Sequence, residues 1–176
     1  VKSIFQRAGS AVLFGLVLAS ATAADTLSAQ TQGSGPDSDP AIAREVERIR
    51  AATAAFKSLD SAVAAGYSPT GGGCVDHQPH GAMGYHHVNQ ELLDDRIEVG
   101  RPEILVYERL PDGGYRLNGV EYIVPFSVRP ATAEAPTVMG QPLKPAPQLE
   151  IWYRHVWVWL ENPSGLFSDW NPRVKC

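Results

Sequence analysis

Four of the chain's five histidines stand in one stretch, CVDHQPHGAMGYHHVN, from Cys74 to Asn89. Neutral imidazole offers a lone pair near physiological pH, which makes histidine the commonest protein ligand for transition metals. The candidates within the stretch are Asp76, His77, His80, His86 and His87. Their spacing fits neither a helical HExxH pair nor a CxxC knuckle. Taken alone, the stretch reads equally as a ligand-bearing segment or as a glycine-rich loop with solvated imidazoles. The solvated reading suits His77 and His80 best.

Two residues outside the stretch add a stronger signal. In LEIWYRHVWVWL, residues 149–160, strand alternation puts His155 on a face with Ile151, Tyr153, Trp157 and Trp159. In YRLNGVEYIVPF, residues 115–126, the same alternation puts Glu121 with Leu117, Gly119 and Ile123. A carboxylate on an apolar strand face must be protonated, paired with a cation or bound to metal. If both strands present these faces to one side, Glu121 and His155 meet, and a histidine from a loop at 86–87 completes a set. The expected ligands are Glu121, His155 and one of His86 and His87, with His80 as a fourth.

Two imidazoles and a carboxylate would leave open positions on one divalent transition metal, Zn, Cu, Fe or Mn. Such positions suit a metal-dependent hydrolase or oxidoreductase acting on a small molecule or an extracellular polymer. The alternatives are a metal-free module whose pocket binds a small ligand, a disulfide-stapled structural protein in which Glu121 only pairs with His155 or Arg154, and paired acids at Glu108 and Glu121 on a carbohydrate site. The chain has no GxSxG elbow, no CxxCH haem attachment and no phosphate-binding glycine motif, so neither nucleotide nor haem is expected.

The elements that must position these residues are legible in part. DPAIAREVERIRAATAAFKSLDSAVAAGY predicts one long helix, with Asp39 as its cap, Pro40 in first place and Gly66 at its end. Ile42, Val46, Ile49, Phe56, Leu59 and Val63 form its apolar stripe. Strands are expected at 103–109, 115–126 and 149–160, the first two as a hairpin around PDGG. The proline-rich stretch 127–148 is expected to be irregular. The fold class is α+β: one long N-terminal helix on a small antiparallel sheet with long loops.

Residues 1–23 have the pattern of a secretory signal: Lys2 and Arg7, the apolar run AVLFGLVLA, then small residues for cleavage. The run is shorter than the roughly 20 residues that cross a bilayer, so no membrane span is expected after cleavage. A flexible tether at 24–38 and one domain at 39–176 would follow, in the periplasm or outside the cell. In an oxidising compartment the two cysteines, Cys74 and Cys176, are expected to form a disulfide. A Cys74 thiolate ligand is the alternative and would leave Cys176 unpaired. The net charge of −4 gives no basic footprint for nucleic acid.

GAMGYHHVN, GVEYIVP, HVWVWLENPSG and DWNPRVKC resemble signature blocks of a family of uncharacterised secreted bacterial proteins, from about Gly72 to Cys176. The resemblance implies a signal peptide, one small domain and a C-terminal cysteine. It also implies that His86 rather than His87 is the functional imidazole, with Glu121 and His155 as partners. It implies no reaction.

Overall fold

Asp39 accepts a hydrogen bond from the Ala41 amide, and Pro40 opens the helix α1, Pro40–Thr53. Ile42, Val46, Ile49 and Thr53, spaced by four, three and four, are its buried face. The computed structural model describes residues 38–176. The expected signal segment and all but the last residue of the expected tether lie outside the described residues.

The single long helix expected from Asp39 to Gly66 is broken. After α1 come a 3-10 turn, Ala54–Lys57, and a short second helix, α2, Leu59–Ala64. Two bonds favour the break. The Thr53 hydroxyl donates back to the Ile49 carbonyl at 2.7 Å, and the Tyr107 hydroxyl claims the Phe56 carbonyl at 2.6 Å. Ser58 then caps α2 by accepting from the Ser61 amide. The change of direction turns Val63, an expected stripe residue, to solvent. The helix begins at Pro40 and is therefore not at the N-terminus as expected.

Eight strands follow: β1 Tyr67–His77, β2 Gly81–Asn89, β3 Ile104–Arg109, β4 Tyr115–Pro125, β5 Thr137–Val138, β6 Gln141–Pro142, β7 Lys144–Ala146 and β8 Ile151–Val156. Six of them form one antiparallel sheet in the order β1-β2-β3-β4-β8-β7, while β5 and β6 pair by themselves within the proline-rich excursion. The expected hairpin is β3–β4. The histidine stretch is a second hairpin, β1–β2, and not the expected loop. Glycine makes this possible where a side chain would not fit. At Gly84, φ is +113° and a Cβ would stand 2.3 Å from the Tyr107 carbonyl oxygen.

One extra residue in β4 decides which side chains share a face. Val106 pairs with Gly119 but Tyr107 pairs with Leu117, so Asn118 is a bulge. Beyond it the alternation shifts by one, and Leu117 joins Leu105, Tyr107, Val120 and Tyr122 instead of sharing Glu121's face as expected. The bulge also ends β8 early. The Asn118 carbonyl accepts from both the Trp159 and Leu160 amides at 2.9 Å, so residues 157–160 leave the sheet rather than extend the strand.

The sheet thus has two unlike faces. One packs Leu105, Tyr107, Val120, Tyr122, Val124, Trp152 and Val156 against Ile42, Val46 and Ile49 of α1. Each such side chain, fully buried, contributes about 1.5–3 kcal/mol. The other face holds a smaller apolar group, Val88, Ile104, Val106 and Ile123, with Ile151 and Tyr153 at its margin. This second face carries the candidate site.

Candidate metal centre

Glu121 on β4 is paired directly with His155 on β8. His86 on β2 is paired with Val106 on β3. In a flat sheet β2 and β8, three strand spacings apart, would be separated by roughly 14 Å. Yet His86 Nε2 and His155 Nε2 are 3.2 Å apart. The sheet curls, and residues from its two halves converge over the hollow of the second face.

Glu121 completes the group, with Oε2 3.5 Å from His86 Nε2 and Oε1 3.7 Å from His155 Nδ1. All three side chains are buried, at 11%, 7% and 3% exposure for His86, Glu121 and His155. One ligand atom from each lies within 4.8 Å of the other two, which defines a buried group able to hold a metal ion. Good hydrogen bonds to a carboxylate are about 2.7–3.0 Å, so the contacts to Glu121 are too long to be such bonds. His155 meets His86 through Nε2 and Glu121 through Nδ1, so the short distances do not belong to one set of three ligand atoms. Ligand bonds of about 2.0–2.2 Å need neighbouring ligands roughly 3–3.6 Å apart, a closure that side-chain rotation on binding would supply. His155 Nδ1 is buried and has no hydrogen-bond partner.

Burial sets the protonation of the group. It holds His86 down to about 4 and His155 well below the usual histidine range. It pushes Glu121 up to about 8, with the nearby Asp169 and Glu103 carboxylates adding to the rise. Both imidazoles are therefore neutral at pH 7, the form that binds metal. The Gly84 backbone partly offsets the effect of burial on His86.

The remaining sequence candidates lie elsewhere. His80 is exposed in the turn between β1 and β2, its ring stacked on His77 at 5.2 Å, and is not part of the group. His77 stacks in turn on Trp170 at 5.0 Å. Asp76 is exposed. His87 is buried but falls beside Tyr107 on the helix-covered face, with ring centroids 5.0 Å apart. Arg154, the alternative partner of Glu121, is paired with Tyr122 on that same opposite face and donates to the Pro142 carbonyl. Glu108 is held by Arg116 at 2.6 Å and Asn118 at 3.1 Å. Cys74 is bonded to Cys176, which excludes it as a thiolate ligand.

Sequence reasoning missed what surrounds the centre. Trp157 stacks on His155 and donates to the Ser168 carbonyl at 2.6 Å. Asp169 accepts from Lys144 at 2.6 Å and from the Tyr153 hydroxyl at 3.2 Å. The alternation of β8 placed Tyr153 and Trp157 beside His155, but no local pattern in DWNP marked Asp169 as their neighbour. A groove of about 370 Å³ lies between α1 and residues 157–166, floored by Ile42, Val46 and Trp157, and none of the three centre residues lines it. Compared with protein-family models, curated proteins and solved structures, the chain matches none.

Proposed function

We propose that the protein is an exported domain that holds one divalent transition metal on His86, Glu121 and His155. One observation carries the reading: three buried polar side chains converge, one ligand atom from each within 4.8 Å of the others, and the two contacts to Glu121, at 3.5 and 3.7 Å, are too long for hydrogen bonds. Metal binding would draw the proton from Glu121 and give the carboxylate a cation, which removes the cost of burying it unpaired. Two nitrogens and one oxygen suit Zn, Fe, Mn or Cu and leave positions for water or a small ligand. Export agrees with the signal-like N-terminus and with a single disulfide as the state of both cysteines. No helix of the described residues is long and apolar enough to cross a membrane.

Burial of all three ligands favours a held metal over a freely accessible one. A hydrolase or oxidoreductase acting through the same ion would need access for a small molecule or polymer end. A metal-free reading rests on the groove beside α1, whose apolar floor and charged rim of Glu47, Arg50 and Glu161 suit a small ligand.

Metal analysis of protein purified without a histidine tag separates these. The expected result is one transition metal per chain in the wild type and none in His86→Ala or His155→Ala. Wild-type protein with no stoichiometric metal after incubation with each candidate ion would remove the proposal.

A further inference from the structure

We infer that the C-terminal segment, residues 161–176, is a strap that closes the metal centre and that the Cys74–Cys176 disulfide latches it, placing metal exchange under redox control. The inference deepens the metal-binding reading and rests on it.

Consecutive residues of the segment touch both halves of the curled sheet. Asp169 bonds Lys144 on β7 and Tyr153 on β8. Trp170 stacks on His77 of β1. Asn171, fully buried, exchanges two backbone hydrogen bonds with Ala82 of β2, at 3.1 and 3.2 Å. Gly81 permits that approach, because a Cβ there would stand 2.2 Å from the Asn171 carbonyl oxygen. Val174 then packs with Ala82 and Trp157, the side chain stacked on His155. Three successive residues, 169–171, therefore span the mouth of the hollow from the β7–β8 half to the β1–β2 half.

The latch lies at the end of this path. Cys176 is bonded to Cys74 on β1, whose neighbour on β2 is Tyr85, next to His86. The sequence separation is 102 residues, so the bond joins the end of the strap to the strand pair that carries one ligand. Beside it, Thr70–Gly73 fall outside the β1–β2 register, and a Cβ at Gly71 or Gly73 would meet nothing within 4 Å. The strand at the latch is thus loosely packed, and the disulfide is the covalent link that holds the end of the strap against it.

Reduction by a dithiol would transfer two electrons and two protons to the pair. The S–S bond breaks, Cys74 and Cys176 become thiols, and the reductant closes to a cyclic disulfide. The end of the strap is then free to open, which exposes the ligands locally without unfolding the sheet.

The test is the rate at which zinc-loaded protein surrenders its ion to excess chelating dye. Four forms are compared: oxidised wild type, wild type reduced with a dithiol and desalted, Cys74→Ala/Cys176→Ala, and Asp169→Asn with its disulfide intact. Both disulfide-free forms are expected to release zinc about tenfold or more faster than the oxidised form, with unchanged stoichiometry. Asp169→Asn, which loosens the strap at Lys144 and Tyr153, is expected to accelerate release as well, and it carries the test should the disulfide-free forms not fold. Equal rates from all folded forms, each holding one zinc, overturn the strap and leave the metal site standing. Absence of zinc from the oxidised wild type overturns both.

Discussion

The two faces of the sheet treat their buried polar groups in opposite ways. On the helix-covered face the large aromatic polar groups are given to backbone carbonyls. Tyr107 donates to Phe56 at 2.6 Å, Tyr122 to Val99 at 2.6 Å and Trp152 to Arg129 at 3.1 Å, and at the margin Tyr67 donates to Pro102 at 2.7 Å. His87, with its Nδ1 unpaired, is an exception on that face. On the strap-covered face, His86, Glu121 and His155 converge on one point instead. The first face uses polar groups to fix the path of the chain. The second concentrates three polar side chains whose one mutual hydrogen-bond contact is the 3.2 Å approach of His86 and His155 Nε2. A metal ion at that point, as proposed, would offset the cost of desolvating the group.

That contrast predicts how substitutions divide. Ile49→Ala, on the helix-covered face, is expected to lower stability by about 2–5 kcal/mol in urea unfolding while leaving metal stoichiometry unchanged. Parallel loss of metal and stability would mean that the two faces are not separable.

Glu103 gives a pH-dependent effect. It is 2% exposed, accepts from the Ile123 amide at 3.1 Å, and is pushed by burial from 4.5 up to about 8. A carboxyl whose pKa is raised in the folded state favours folding fully below about 4.5, and that contribution is lost as pH rises through about 8. Glu103→Gln is therefore expected to flatten the fall in stability across that window, by on the order of a few kcal/mol at its upper end. Identical pH–stability profiles for variant and wild type would contradict a buried neutral Glu103.

Tyr107→Phe removes the donor to the Phe56 carbonyl and is expected to cost about 1–2 kcal/mol. Glu121→Leu is expected to do the reverse in metal-free protein. It exchanges a buried carboxyl for an apolar side chain and should raise stability by about 1 kcal/mol, while abolishing metal binding. The opposite signs of these two changes in thermal unfolding are the sharpest form of the comparison. If Glu121→Leu destabilises the metal-free protein as much as Tyr107→Phe, the group is structural.

The sequence carried the centre better than it carried the fold around it. Alternation alone put His155 and Glu121 on apolar faces, because β4 above its bulge and β8 keep strict period two. Leu117 was misplaced because the bulge at Asn118 is a single inserted residue with no distinctive type. The β1–β2 hairpin was hidden for a related reason. Its glycines at 71, 73, 81 and 84 adopt positive φ and interrupt the period on which strand recognition depends. The helix break was equally invisible, since it depends on Tyr107, 51 residues from Phe56, taking a carbonyl out of the helix. His80 drew attention through its place in a histidine-rich stretch, but a turn at the end of a hairpin keeps it away from a group formed in the hollow of the sheet.

The most direct test of the central claim is X-ray absorption at the metal edge of zinc-loaded protein. The account predicts one zinc per chain with two imidazole nitrogens and at least one carboxylate oxygen at about 2.0–2.2 Å, and loss of that coordination in Glu121→Leu. Zinc held in a different ligand shell, or held unchanged in Glu121→Leu, would contradict it.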